Sequence, residues 1–172
     1  MSTQTGPCIK GREDAEIIRA FANEMKVMLP SAYTGATCSV LFADLKPGEG
    51  APPHVHREYD EYFLVIAGTV SLVIDGKERT IVPDNLVFTP HGAVHSFKKI
   101  GTSPAKLLEW TIPGGNEPCF RAVGKTEANA GFDPKRLIEI HEQFGPSSST
   151  SWRGEPRMAA SGQRLILDGR AK

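Results

Sequence analysis

The chain has no surplus of charge: twenty Lys and Arg stand against twenty Asp and Glu. It also has no cluster of basic residues with interleaved aromatics, the footprint a nucleic-acid surface requires, so nucleic acid is excluded as the expected partner. No run approaches the 18 or so apolar residues of a membrane span, and the first ten residues, MSTQTGPCIK, lack the apolar core of a secretory leader. The expectation is a soluble, cytoplasmic protein with no membrane partner. Cysteine is scarce. Cys8, Cys38 and Cys119 are widely spaced and form no metal-type pair, which excludes a disulfide framework and fits a reducing compartment. No internal repeat is visible, and 172 residues are the size of one domain with a real core, so a second domain is not expected.

What is present is concentrated in residues 48–68, GEGAPPHVHREYDEYFLVIAG. His54 and His56 are two apart, so on an extended strand both imidazoles point to one face. Two residues of strand span roughly 6.6 Å, whereas two donors on one metal sit about 3 Å apart at bond lengths near 2.1 Å; the rings must lean together, and imidazoles are long enough to do so. Glu61 follows His56 by five, an odd offset that strict alternation places on the opposite face. A bend or bulge within 57–60 must therefore turn it inward. A fourth donor is expected from a neighbouring strand, and residues 89–95, TPHGAVH, supply a tight turn followed by His95. The set is then three imidazoles and one carboxylate: His54, His56, Glu61 and His95. His91 occupies the tip of that turn and is expected to be exposed.

Around this stretch, strand signals recur at short, even intervals: 36–45, 62–67, 70–74, 79–82, 86–88, 95–100 and 105–112, with Gly, Pro, Asn or Asp at nearly every junction. Many short strands with regular turns indicate an all-β sandwich or barrel, and Asp75-Gly76 reads as a hairpin turn. Residues 13–29 fit both a helical and a strand period; the reading adopted is a short turn or helix, then a strand from about Glu24. Residues 133–146 carry helix punctuation at both ends, with Asp133 to cap, Pro134 in the first turn and Gly145 at the stop. The aromatics Tyr33, Phe42, Tyr62, Phe63, Phe88, Phe97 and Trp110 are expected mostly in the core, some of them lining a cavity about the site.

The segment 48–68 resembles the first cupin motif, G-(x)5-H-x-H-(x)4-E-(x)6-G, at every fixed position. Pro90, Gly92 and His95 match the second motif, with Asp84 where a glycine is usual and Lys99 where an asparagine is usual. Asp tolerates left-handed turns better than most residues, so Asp84 is expected to make the same turn. The resemblance implies a double-stranded β-helix (jelly-roll) barrel over 24–116, preceded by an N-terminal arm (1–23) and followed by a segment with a short helix (117–145) and an irregular tail (146–172). It also implies one divalent transition metal (Fe, Mn, Ni, Co, Cu or Zn) held by His54, His56, Glu61 and His95, with Glu61 doubling as a base. Over about 24–145, including PGGNEPCFRAVG after the barrel, the likeness is to single-barrel quercetin dioxygenase-like proteins. That subgroup implies a dioxygenase acting with O2 on an aromatic or enolic, flavonol- or polyketide-like small molecule. The alternatives are an O2-independent isomerase, cyclase or decarboxylase on the same ligand set, and a non-catalytic small-molecule binder. The apolar cluster 165–167 in a polar tail, together with what is common among cupins, points to a homodimer through barrel strands and a terminal arm.

Overall fold

The computed structural model describes residues 6–21, 23–130 and 150–152. The strands are β1 (Glu16–Ala20), β2 (Asn23–Leu29), β3 (Ser39–Leu45), β4 (Gly50–His56), β5 (Asp60–Ala67), β6 (Thr69–Ile74), β7 (Lys77–Ile81), β8 (Leu86–Thr89), β9 (Val94–Ile100), β10 (Ala105–Ile112) and β11 (Thr150–Trp152), with a helix α1 (Glu117–Ala130) between β10 and β11. They form two antiparallel sheets, ordered β1-β2-β3-β10-β5-β8 and β11-β4-β9-β6-β7. From β3 onward the chain changes sheet at nearly every connection, which is the winding of a jelly roll.

Period-two alternation explains why these segments are strands. In β10 the residues Ala105, Leu107, Glu109 and Thr111 are buried, while those between them face outward. In β5 Glu61, Phe63 and Val65 point in, and Tyr62, Leu64 and Ile66 point out. The inward apolar residues merge into one core with Leu41, Leu45, Val70, Leu72 and Val87. Asp75 and Gly76 both have positive φ, 46° and 77°, as the tight β6–β7 hairpin demands. Asp84 sits at φ 69°, so it does make the left-handed turn expected of it.

Two expectations need correction. Residues 16–20 are not a turn or helix but strand β1, paired with β2 from Glu16↔Val27 to Ala20↔Asn23; sheet pairing resolves an ambiguity that local periodicity left open. Helix α1 starts inside the PGGNEPCFRAVG stretch and runs on to Ala130; Cys119, Phe120 and Val123 are buried and Phe120 meets Phe21 edge-on at 5.6 Å. Arg121 clamps it to β1 through two 2.7 Å bonds to Glu16. The expected helix at 133–146 and the cluster at 165–167 lie outside the described residues. Finally, Tyr62, Phe88 and Trp110 are not core. They stack on the outer face of the six-stranded sheet, Tyr62 lying 5.2 Å from Trp110 and 5.1 Å from Phe88, beside exposed Leu86, Ile66 and Ile112.

Candidate metal centre

The two sheets supply the site from opposite sides. β4 carries His54 and His56 on its inward face, and antiparallel pairing with β9 sets His54 directly opposite His95, with ring centroids 4.1 Å apart. The register of that pair is irregular between Ala51 and His54, where Pro52 and Pro53 have no N–H to give a ladder. After His56 the chain leaves the five-stranded sheet, bends through 57–59 and enters the six-stranded one as β5. The bend expected before Glu61 is therefore a change of sheet: the carboxylate faces the histidines because its strand lies across the barrel from theirs.

All four side chains are buried, Glu61 at 2 % exposure, and one donor atom from each lies within 4.8 Å of all the others. Glu61 Oε2 is 3.2 Å from His56 Nε2 and 2.7 Å from His95 Nε2, close to the separation of neighbouring donors around a single ion. Nδ1 of His54 lies 2.8 Å from the carbonyl of Pro52, and Nδ1 of His95 lies 3.1 Å from that of Ala93. A carbonyl only accepts, so each Nδ1 carries the proton and leaves Nε2 as the ligating nitrogen. His56 is braced by Tyr59, whose ring stacks on it at 4.3 Å. The donor set and its spacing fit a divalent transition metal, and these four residues could hold one.

The electrostatics are those of a buried, coupled cluster. Burial holds His54 well below the ordinary imidazole pKa, and the neighbouring imidazoles His95 and His56 add to that effect. Burial also opposes charge on His95, but the hydrogen bond and charge of Glu61 outweigh it and raise the pKa. For Glu61, burial works upward and is overcome by the charge and hydrogen bond of His56 and the hydrogen bond of His95. Its carboxyl is held well below the usual range.

Sequence reading missed a second buried acid. Glu109 on β10 is hydrogen-bonded to Glu61; burial first, then the adjacent carboxylate, raises its pKa well above the ordinary value. Asn116 Nδ2 donates to Glu109 Oε1 at 3.0 Å, and Ser39 Oγ donates to Asn116 Oδ1 at 2.7 Å. Ser39 has only one hydroxyl proton, so Thr111, 2.9 Å away, must donate to Ser39. The signal was legible: alternation in 105–112 puts Glu109 on the face of Leu107, where a charged residue has no bland role. His91, by contrast, is exposed, with Nδ1 2.8 Å from Asp60 Oδ1, and it stands apart from the cluster. A groove of about 580 Å³, lined in part by Ala51, Pro53, Ser71, Val73 and Phe97, shares no residue with the four donors.

Residues 41–111 match the cupin domain model. The stretch that carries Glu61 and the three histidines is thus similar to a cupin domain, and the two-sheet jelly roll around it agrees with that likeness. Among known proteins the chain is similar to quercetin 2,3-dioxygenase of Bacillus subtilis, 23 % identical over 73 % of this chain and 37 % of that protein. The chain thus spans little more than a third of that relative's length. It is also similar to polyketide synthase CurC of Streptomyces cyaneus, 22 % identical over 81 % of this chain and 91 % of that one. A solved RmlC-like cupin from Shewanella frigidimarina superposes with a TM-score of 0.56 at 15 % identity, covering 66 % of this chain and 97 % of that one, a likeness of fold.

Proposed function

We propose that His54, His56, Glu61 and His95 bind one divalent transition metal and that the protein is a metal-dependent dioxygenase of an aromatic or enolic small molecule. The observation that carries the reading is the convergence of three imidazoles and one carboxylate, from both sheets, within 4.8 Å. Three neutral imidazoles and one carboxylate would leave room on an ion that prefers five or six ligands, and a bound ion would supply Lewis acidity toward an acidic enol or phenol. With its pKa held low by His56 and His95 against burial, Glu61 would serve as the base for an acidic enol or phenol proton of the substrate. Burial keeps bulk water from competing for the same proton. Likeness to the quercetin dioxygenase supports the dioxygenase reading.

The second reading is an O2-independent cyclase, isomerase or decarboxylase on the same residues. It is favoured by the match to CurC, which runs through 91 % of that protein. Elemental analysis followed by a screen of flavonols and aromatic polyketides, with and without O2, decides between them. The dioxygenase takes up one O2 per substrate consumed and stops under nitrogen. Full turnover under nitrogen selects the second reading, and tight binding with no turnover in either atmosphere identifies a non-catalytic binder.

The exposed apolar face formed by Leu86, Phe88, Ile66 and Ile112, next to edge strand β8, supports assembly of two copies of this chain. A patch on one sheet is available in identical form on the second copy, as a twofold interface requires. Sedimentation at micromolar concentration tests it, and a monomer there refutes it.

A further inference from the structure

We propose that the Thr89 hydroxyl is a substrate-binding group of the centre: it donates a hydrogen bond to a carbonyl oxygen that lies beside the acidic enol or phenol of the substrate. The inference rests on the metal-dependent reading given above and narrows its substrate class to molecules that carry the two oxygens side by side.

Four inward positions line up across the six-stranded sheet. Ser39 on β3 stands opposite Thr111 on β10, Thr111 opposite Glu61 on β5, and Glu61 opposite Thr89 on β8. All four are buried, Thr89 at 1 % exposure. Residues opposed on one face of an antiparallel pair have Cβ atoms about 4.5–5.5 Å apart, so a threonine flanks the Glu61 side chain on each side. The two threonines differ in what their hydroxyls do. Thr111 is committed to the protein: it donates to Ser39 Oγ at 2.9 Å, and Ser39 donates in turn to Asn116. The Thr89 hydroxyl has no hydrogen-bond partner among the described residues. β8 is the last strand of its sheet, so the row ends at Thr89 and no further strand of that sheet brings it an acceptor.

A buried hydroxyl without a partner destabilises the fold, and an apolar group of the same shape would relieve it. The strand does not need a hydroxyl for its own sake, since Val87 fills the same inward face two residues earlier. The proton of Thr89 is therefore left for an acceptor that a ligand brings in, next to the carboxylate proposed as the base. Glu61 accepts from one ligand oxygen and Thr89 donates to another, and together they select a molecule with a carbonyl adjoining its acidic hydroxyl.

The test uses the full chain, stripped of metal, reloaded with Co(II) and kept under nitrogen. Two probes are titrated and followed by their own absorption: 1-hydroxy-2-acetonaphthone, with a carbonyl beside its hydroxyl, and 1-naphthol, without one. Thr89→Val keeps the shape and loses the hydroxyl. It is expected to bind the first probe about tenfold more weakly, the usual effect of one hydrogen bond, and the second within about twofold of the parent. Thr89→Ser keeps the hydroxyl and is expected to bind the first probe within about threefold of the parent. Metal-free Thr89→Val is expected to melt no lower than the parent, because valine leaves no polar group unpaired. Parental affinity of Thr89→Val for the first probe overturns the proposal, as does equal weakening of both probes. A lower melting temperature with unchanged probe binding identifies a hydroxyl that serves the fold and overturns it too. If Thr89→Val fails to fold, Thr89→Ala decides on the same two probes. A Co(II)-loaded parent that binds neither probe overturns the inference together with the aromatic reading of the substrate, and a parent that takes up no Co(II) refutes the metal reading on which both stand.

Discussion

The interior of this barrel has a polar end and an apolar end, built from the same strands. β5 contributes Glu61 at one end and Phe63 and Val65 further along; β10, running the other way, passes from Thr111 and Glu109 to Leu107 and Ala105. β9 goes from His95 through Phe97 to Lys99, whose ammonium escapes the apolar end by donating to the carbonyls of Ile100 and Gly101. The apolar end stabilises the fold through buried area, at about 25 cal/mol per Å². The polar end works against it, because each buried polar group left without a partner costs about 1–3 kcal/mol. Thr89, opposite Glu61 in the β5–β8 register, has a buried hydroxyl with no hydrogen-bond partner. On the proposed reading the polar end serves chemistry and the apolar end stability.

That division can be broken at its strongest point first. Glu61→Gln is expected to keep much of the metal, since an amide oxygen still coordinates and three imidazoles remain, yet to lose turnover by about 10²- to 10⁴-fold, because an amide accepts no proton at neutral pH. Steady-state kinetics with metal content measured on the same sample checks it.

At the apolar end the effects reverse. Leu107→Ala, at a site 1 % exposed, should cost about 2–5 kcal/mol of stability while the folded fraction binds metal as the parent does. Denaturant unfolding and metal titration read the two quantities separately. A fall in metal affinity matching the loss of stability would dissolve the distinction between the ends.

A smaller effect concerns pH in the metal-free protein. His95 has a raised pKa, so its stabilising contribution is complete below the ordinary imidazole value of 6.5 and is lost as pH rises through the higher folded value. Glu61 has a lowered pKa, so its contribution is complete above the ordinary value of 4.5 and is lost as pH falls through the lower folded value. The coupling of the pair in a double-mutant cycle should therefore be greatest between pH 4.5 and 6.5 and fall on either side. Metal binding follows a different course and weakens with acidification, since all three imidazoles must be neutral to ligate. The smallest effect is expected of His91→Ala, which should leave metal content and turnover unchanged, because its partner Asp60 faces away from the cluster at a half-buried edge.

Both ends were legible in the sequence to different degrees. His54, His56, Glu61 and His95 could be gathered from spacing and motif because the donor geometry of a metal restricts which intervals are possible. The strands of the barrel followed from alternation, and 105–112 was read to the residue. Strand β1 escaped because Ile17, Ile18, Phe21 and Met25 satisfy a helical stripe as well as a hairpin, and only pairing with β2 separates the two. The outward aromatics escaped because hydrophobicity reports burial in general and not which side of a sheet is covered. Asn116 could not be foreseen: its role depends on a turn that brings it back to a strand seven residues earlier.

The most direct test of the account is metal content per chain, by elemental analysis of the protein as isolated and after reconstitution, in the parent and in His95→Ala. The account predicts one divalent ion per parent chain, with a rise in melting temperature on loading. It predicts lower occupancy and a smaller rise in the variant. A His95→Ala protein that keeps full stoichiometric metal and melts as the parent does would contradict it.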